Sequence, residues 1–187
     1  ARTSALPSSM NMGSMGHDMS AMAHMDPSTG ISVATLKEGN SDAPVKYFEL
    51  TAEEKELDIG NGQKVQAWTF NGTAPGPEIR VQEGDRVLVH MTNHLHEGVS
   101  IHWHGVELPN AEDGVAGVTQ DAIPVNGDYT YNFIAKQPGT YWYHSHQESE
   151  KQTGKGLYGT LIVEPKQQEK VYARDIVSVL HQWDDST

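Results

Sequence analysis

Short alternations of apolar and polar residues, broken by glycine and proline, most limit what this chain can fold into. Such alternation occurs at residues 87–91 and 129–133, and a short apolar run occupies residues 161–163. Turn-forming residues stand between the runs at 126–128 and 137–139. No long window repeats apolar residues at the three- and four-residue spacing of an amphipathic helix. The sequence therefore predicts an all-β protein, and a Greek-key β-sandwich suits it best.

Length and charge narrow the range of functions. The chain has 187 residues, which is room for one domain of ordinary size plus tails. Its 13 basic and 25 acidic residues give a formal net charge of −12. This charge argues against nucleic acid and anionic membranes as partners, and it favours a cationic substrate only weakly. No apolar stretch approaches the roughly 20 residues that span a bilayer, so no membrane span is expected.

Four histidines form two His-x-His pairs, His102 with His104 and His144 with His146. On a β-strand, residues two apart share a face and stand about 6.6 Å apart along the strand. Each pair can therefore direct both imidazoles to one location, and adjacent strands would bring all four together at a site for more than one metal ion. Neutral imidazole binds copper, zinc, iron and nickel, so the ligand type leaves the metal open.

Several ordered motifs surround these pairs. In chain order they are Phe70-Asn71-Gly72-Thr73-Ala74-Pro75-Gly76-Pro77, Ile101-His102-Trp103-His104-Gly105-Val106, Asp113-Gly114, Val118-Thr119-Gln120, Gly139-Thr140-Tyr141-Trp142-Tyr143-His144-Ser145-His146 and Gly156-Leu157-Tyr158-Gly159-Thr160-Leu161-Ile162-Val163. From about residue 45 to residue 187, the chain resembles the first cupredoxin domain of the multicopper oxidases. That family includes laccases, ascorbate oxidases and periplasmic copper oxidases. The resemblance implies a cupredoxin-like Greek-key β-sandwich.

The resemblance also implies a role for each paired histidine. His102 matches the ligand of the type 2 copper, while His104, His144 and His146 match ligands of the two type 3 coppers. Together they would supply half of a trinuclear copper cluster. A blue type 1 copper needs a thiolate, and the chain contains no cysteine. The implied enzyme is laccase-like and couples one-electron oxidation of phenols or metal ions such as Cu(I) to reduction of dioxygen to water. This part alone is expected to be inactive.

Other positions near the motifs have less specific interpretations. Asp113 matches a carboxylate that assists proton delivery in the family, but an ordinary Asp-Gly turn explains it equally well. Trp103 and Trp142 are expected to pack beside the ligands and limit solvent, although buried aromatic residues next to strand ligands need no special role. Asp121 stands where plant oxidases carry cysteine, which argues against the interdomain disulfide of those relatives.

A third His-x-His pair, His94 with His96, lies in a polar stretch and matches no ligand position of the family. We expect these two histidines, like His90 and His181, to be structural or exposed. The pattern alone is therefore insufficient to identify a metal ligand, and the surrounding motif decides between the three pairs.

The N-terminal segment, residues 1–44, is rich in methionine and is predicted to be a flexible tail. It has too little apolar content for a core. Thioether sulfur is a soft ligand that selects Cu(I), so the segment could collect cuprous ion. A low-complexity linker following an export signal is the alternative. The possible Cu(I) ligands are Met10, Met12, Met15, Met19, Met22 and Met25.

The predicted organisation places the cupredoxin domain at residues 45–166, followed by a linker and the first strand of a further domain at 167–187. Residues 173–185 resemble that strand, and a lone strand with an open edge has no means of folding by itself. The chain is therefore expected to be a fragment, a truncated form, or one piece of a cleaved or multi-chain protein. The alternative is a C-terminal strand that returns to its own sheet. The start at Ala1 fits a processed protein, and the resemblance implies a periplasmic, cell-surface or secreted location.

Two other functions stay open from the sequence. The first is a copper-binding or copper-tolerance module without catalysis, built from the four histidines and the methionine-rich tail. The second is a zinc hydrolase, because three or four histidines around an open coordination position can activate water. For the oxidase, the implied partners are dioxygen, a phenolic or Cu(I) reductant, and the remaining cupredoxin domains of the same protein, in an architecture of two or three domains.

Overall fold

The computed structural model describes residues 39, 42–167, 170 and 172–183. The methionine-rich part of the tail lies outside these residues, so its flexibility and copper ligation stay predictions. The strands of the described part are β1 (Val45–Gly60), β2 (Gln63–Phe70), β3 (Ile79–Gln82), β4 (Arg86–Asn93), β5 (Ile101–His104), β6 (Asp128–Ile134), β7 (Gly139–Ser145) and β8 (Tyr158–Glu164). A 3-10 turn covers Asn110–Glu112, and one short helix, α1, covers Ser149–Gly154. Within the described residues, no helix has the length and apolar character to cross a membrane.

The strands form two four-stranded sheets, in the orders β2-β1-β4-β6 and β3-β8-β7-β5. In the first sheet, β1 runs antiparallel to β2 and parallel to β4, and β4 runs antiparallel to β6. In the second, β7 is antiparallel to both β5 and β8, while β3 is parallel to β8. From β2 to β7, each successive strand lies in the other sheet. The predicted all-β sandwich is thereby confirmed.

The core lies between the two sheets and follows from the period of two in the strands. Along β4, every second residue is buried, which matches the alternation at residues 87–91. Along β6, Tyr131 and Phe133 point inward. Trp103 of β5 meets them from the opposite sheet, with its ring 5.5 Å from Tyr131 and 4.9 Å from Phe133. These aromatic contacts join the two inner faces and fix the sheet that carries both histidine pairs.

The C-terminal segment, residues 172–183, pairs with none of the strands in the described part of the chain. It contacts the second sheet through side chains instead. Asp175 accepts a hydrogen bond from Arg80 at 2.9 Å, and the His181 ring stacks 4.9 Å from Tyr158. The alternative of a strand returning to its own sheet is not observed for these residues. That this segment is the first strand of a further domain stays a prediction, because a strand is recognised by its hydrogen bonds to a neighbouring strand.

Candidate metal centre

The two His-x-His pairs lie on neighbouring antiparallel strands. His102 of β5 stands directly opposite His144 of β7, and His104 stands opposite Trp142. Since alternate residues share a face of the sheet, the imidazoles of β5 and β7 project to the same side. His146 follows one residue beyond the end of β7. From the sequence, we expected the four histidines to converge if the two strands were neighbours. The structure shows that β5 and β7 are neighbours.

The imidazole rings form a compact group. The centroid of the His102 ring lies 5.6 Å from that of His104, 5.4 Å from that of His144 and 5.3 Å from that of His146. Ligand atoms of His102, His104 and His144 all lie within 4.8 Å of one another. His104 Nδ1 and His144 Nε2 approach to 3.3 Å. Two imidazole nitrogens that share a metal at about 2.0 Å are separated by about 3 Å, so this pair fits one ion.

Backbone carbonyl groups orient two of the rings. His102 Nδ1 lies 2.8 Å from the carbonyl oxygen of Asp113, and His144 Nδ1 lies 2.9 Å from that of Ser145. A carbonyl oxygen only accepts, so we assign the proton to Nδ1 in both rings. Each Nε2 then keeps its lone pair for a metal. Such hydrogen bonds on the second nitrogen are the usual support of metal-binding histidines.

Asp113 approaches the group with its side chain as well. Its Oδ1 lies 3.4 Å from His102 Nδ1, and both side chains are partly exposed. Asp113 follows the 3-10 turn and precedes Gly114, whose φ of +73° suits glycine. The two sequence interpretations of Asp113 are therefore compatible, because the Asp-Gly turn itself brings the carboxylate to the histidine group.

Burial keeps one imidazole neutral. His144 is only 6% exposed. The pKa of His144 is lowered to about 4, chiefly by desolvation and also by the neighbouring imidazoles, while the hydrogen bond to the Ser145 carbonyl partly offsets the shift. At neutral pH the ring is uncharged, which is the form that binds metals. A donor set of imidazoles without thiolate fits a non-blue copper site.

The metal-free chain is expected to lose stability as the pH falls from about 6.5 to about 4. Unfolded His144 has the ordinary pKa of about 6.5, whereas folded His144 has a pKa of about 4. Between these values the unfolded state binds the extra proton, so acid favours unfolding. The loss in free energy of unfolding is zero above about pH 6.5 and reaches its full value, on the order of 3 kcal/mol, below about pH 4.

Urea unfolding of the metal-free chain across this range measures the effect. As the pH falls, the free energy of unfolding should decrease less for His144→Leu than for the wild type. A variant at exposed His94 should show the same pH dependence as the wild type. Equal acid dependence in the wild type and His144→Leu would contradict the prediction.

The two tryptophans have different positions. The Trp142 ring stacks 4.1 Å from His144 and lies 5.1 Å from His104, although Trp142 itself is 38% exposed. The expectation that it packs beside the proposed ligands is confirmed. For Trp103 the expectation was wrong, because the residue between two histidines on a strand faces the opposite side. Trp103 is fully buried in the core.

The other four histidines of the described residues, at positions 90, 94, 96 and 181, lie apart from this group, as expected. His94 is exposed, and His96 Nδ1 pairs with Glu54 at 2.5 Å on the surface. His90 Nδ1 lies 3.0 Å from the hydroxyl of Thr130, and His181 is partly buried against Tyr158. Sequence reasoning missed Ser145 and Gln152, two fully buried polar residues behind β7. The alternation along β7 was the signal that Ser145 faces away from the histidines.

Sequence comparison finds a match to the multicopper oxidase family over residues 51–168, a range that includes both pairs. The copper resistance protein A homolog of Pseudomonas syringae pv. tomato is 44% identical over 139 residues, covering 74% of this chain and 23% of that protein. Laccase-1 of Cryptococcus neoformans var. neoformans is 42% identical over 130 residues, covering 66% of this chain and 20% of that protein. The matched part of the chain thus covers only 20–23% of the length of these curated relatives.

Structure comparison agrees with the sequence comparison. A multi-copper oxidase from Pseudomonas thermotolerans superposes with a TM-score of 0.66 at 37% identity, covering 68% of this chain and 31% of that one. The blue copper oxidase from Nitrosomonas europaea gives a TM-score of 0.64 at 37% identity, covering 66% of this chain and 40% of that one. Proteins can share a fold at much lower sequence identity than the 37% of these two matches.

Proposed function

This chain belongs to the multicopper oxidase family and has its cupredoxin fold; from this we propose that it is the N-terminal cupredoxin domain of a laccase-like oxidase. Residues 45–166 form that domain, residues 1–44 the methionine-rich segment before it, and residues 167–187 the linker and first strand of the next domain. The observation that carries the proposal is the convergence of four imidazoles, with His104 Nδ1 only 3.3 Å from His144 Nε2. The whole enzyme's activity needs the parts of the protein beyond this chain.

The four histidines supply half of a trinuclear copper site. His102 binds the type 2 copper, and His104, His144 and His146 bind the two type 3 coppers. The exposure of His104, beside partly buried His102 and His146, supports a half-site whose open side another cupredoxin domain covers. Copper held there would supply the one-electron redox chemistry that reduces dioxygen to water. The chain's own contribution is to hold the imidazoles together, two of them oriented by backbone carbonyl groups, with Trp142 shielding one side.

The reductant is a phenol or a metal ion such as Cu(I). Relatives named laccase and relatives named copper resistance protein both match this chain, and these names support the two kinds of donor. The methionine-rich tail would favour Cu(I), because thioether sulfur is a soft ligand. Both groups of relatives also support a periplasmic, cell-surface or secreted location.

Asp113 delivers protons to the oxygen site. We expect Asp113→Asn to lower oxygen consumption by the complete enzyme about 10²- to 10⁴-fold, because the amide keeps the shape of the side chain but cannot take up a proton. Copper content should stay unchanged, since the carbonyl of residue 113 still accepts from His102. Oxygen electrode measurements with metal analysis test this. Asp121→Asn, at an exposed position, is the control, and equal rates in both variants would refute the role.

The proposal as a whole is tested on the native, full-length preparation by intact-mass spectrometry, metal analysis and oxygen uptake. We expect a longer polypeptide, or a second one, with a His-Cys-His segment, several copper ions per protein and oxygen uptake with a reductant. Copper without oxygen uptake would overturn the oxidase and leave the copper-binding module. A single zinc ion per chain would indicate the hydrolase instead.

A further inference from the structure

Two fully buried polar side chains, Ser145 and Gln152, lie behind the histidine group. Ser145 is the last residue of β7, between His144 and His146, and its side chain points away from them. Its hydroxyl donates a hydrogen bond to Oε1 of Gln152 on α1. The Nε2 of Gln152 donates to the carbonyl oxygen of Gly98 at 3.0 Å. One amide therefore joins the end of β7 to the loop that leads into β5.

This junction lies where strand pairing stops. The ladder between β5 and β7 ends with Ile101 opposite Ser145, so His146 lies beyond it. The N–H of His146 donates to the carbonyl of Ser100 at 3.3 Å, longer than the usual backbone hydrogen bond. Strand pairing alone thus holds His146 less firmly than the three histidines within β5 and β7.

The same junction also affects His144. The carbonyl oxygen of Ser145 accepts the hydrogen bond from His144 Nδ1 at 2.9 Å. Thr153, the neighbour of Gln152 on α1, donates its hydroxyl to that carbonyl at 3.4 Å. A shift of the Ser145 peptide relative to α1 would therefore move His146 and weaken the hydrogen bond that orients His144.

We propose that Gln152 is a positioning residue of the histidine group, because its amide fixes the end of β7 against the loop before β5. The inference rests on the proposed copper function and adds a residue to it. Loss of the amide leaves the Ser145 hydroxyl and the Gly98 carbonyl without this buried partner. A buried polar group without a hydrogen bond lowers the free energy of unfolding unless the backbone shifts so that water can reach it. Outer-shell partners of metal ligands typically contribute about 10- to 100-fold in metal affinity.

The test uses the complete enzyme that contains this chain, freed of metal and titrated with Cu(II) alone. Gln152→Met keeps the length of the side chain and removes both hydrogen bonds. We expect its Cu(II) dissociation constant to rise about 10- to 100-fold, with an altered Cu(II) electron paramagnetic resonance spectrum. The matched control is Thr69→Val in the other sheet, which removes the 3.0 Å hydrogen bond from the hydroxyl of buried Thr69 to the Glu53 carbonyl. It should lose stability without changing the copper spectrum or affinity.

Ser145→Ala provides a second, smaller change at the same junction and decides the question if Gln152→Met does not fold. It should alter the spectrum in the same way, and the double variant should bind Cu(II) no more weakly than Gln152→Met, since the two groups act as a unit. Wild-type affinity and spectrum in both single variants would overturn the positioning role and leave the proposed function intact. Failure of the wild type itself to bind Cu(II) would overturn the proposed function instead.

Discussion

Replacing Gly114 with alanine is expected to lower the free energy of unfolding by about 3 kcal/mol or more. Gly114 has a φ of +73°, and a Cβ there would lie 1.7 Å from the carbonyl oxygen of Ile101 and 2.4 Å from its carbonyl carbon. These are backbone atoms at the start of β5, which a rotamer change cannot move aside. The left-handed backbone costs alanine roughly 1–2 kcal/mol, and overpacking adds roughly 1–3 kcal/mol.

Gly117 in the same loop offers a matched control. Its φ is +81°, but a Cβ there would meet no atom within 4 Å. Gly117→Ala should therefore lose only the roughly 1–2 kcal/mol of the left-handed backbone. Urea unfolding of the two variants and the wild type gives both values. Equal losses would show that contact with Ile101 is not what requires glycine at position 114.

The displacement in Gly114→Ala should also reach the histidine group. The carbonyl of Asp113, the preceding residue, orients His102 through a 2.8 Å hydrogen bond. Movement of the turn away from β5 would lengthen that bond. In the folded fraction of Gly114→Ala, the Cu(II) resonance spectrum should therefore differ from that of the wild type, while Gly117→Ala should retain the wild-type spectrum.

Much of the fold and of the histidine group could be predicted because both depend on the period of two in β-strands. That period identified residues 87–91 and 129–133 as strand segments, and it placed two histidines of each pair on one face. Applied consistently, it also predicts that Trp103 faces away from its neighbouring histidines. The expectation that Trp103 packs beside them followed the flanking sequence instead of the alternation, and it was wrong for that reason.

The parts that could not be predicted depend on contacts between distant segments. Gln152 and Gly98 are separated by 54 positions, and nothing in the local sequence of α1 marks a buried amide. The need for glycine at 114 depends likewise on the placement of the loop against β5. Local patterns determine which face a residue takes on a strand, whereas these contacts depend on which segments the tertiary fold brings together.

Removal of His144 should have the largest effect on the proposed oxidase. His144 stands opposite His102, its Nε2 lies 3.3 Å from His104 Nδ1, and it is the most buried of the four imidazoles. Leucine fills a similar volume without a ligand atom. Since outer-shell partners alone contribute about 10- to 100-fold, loss of a ligand should weaken Cu(II) binding by at least about 10²-fold. Oxygen uptake by the complete enzyme should fall below detection.

A measurement of folding should distinguish the loss of copper binding in His144→Leu from unfolding of the variant. At neutral pH His144 is buried and uncharged, so His144→Leu should remain folded by circular dichroism while it loses copper. His94→Ala, at an exposed position outside the group, should keep both copper and oxygen uptake. Because His104 and His144 would share an ion, the double variant should bind copper no more weakly than either single variant. A folded His144→Leu with undiminished copper would mean that the four imidazoles converge without acting together, and the half-site assignment would fail.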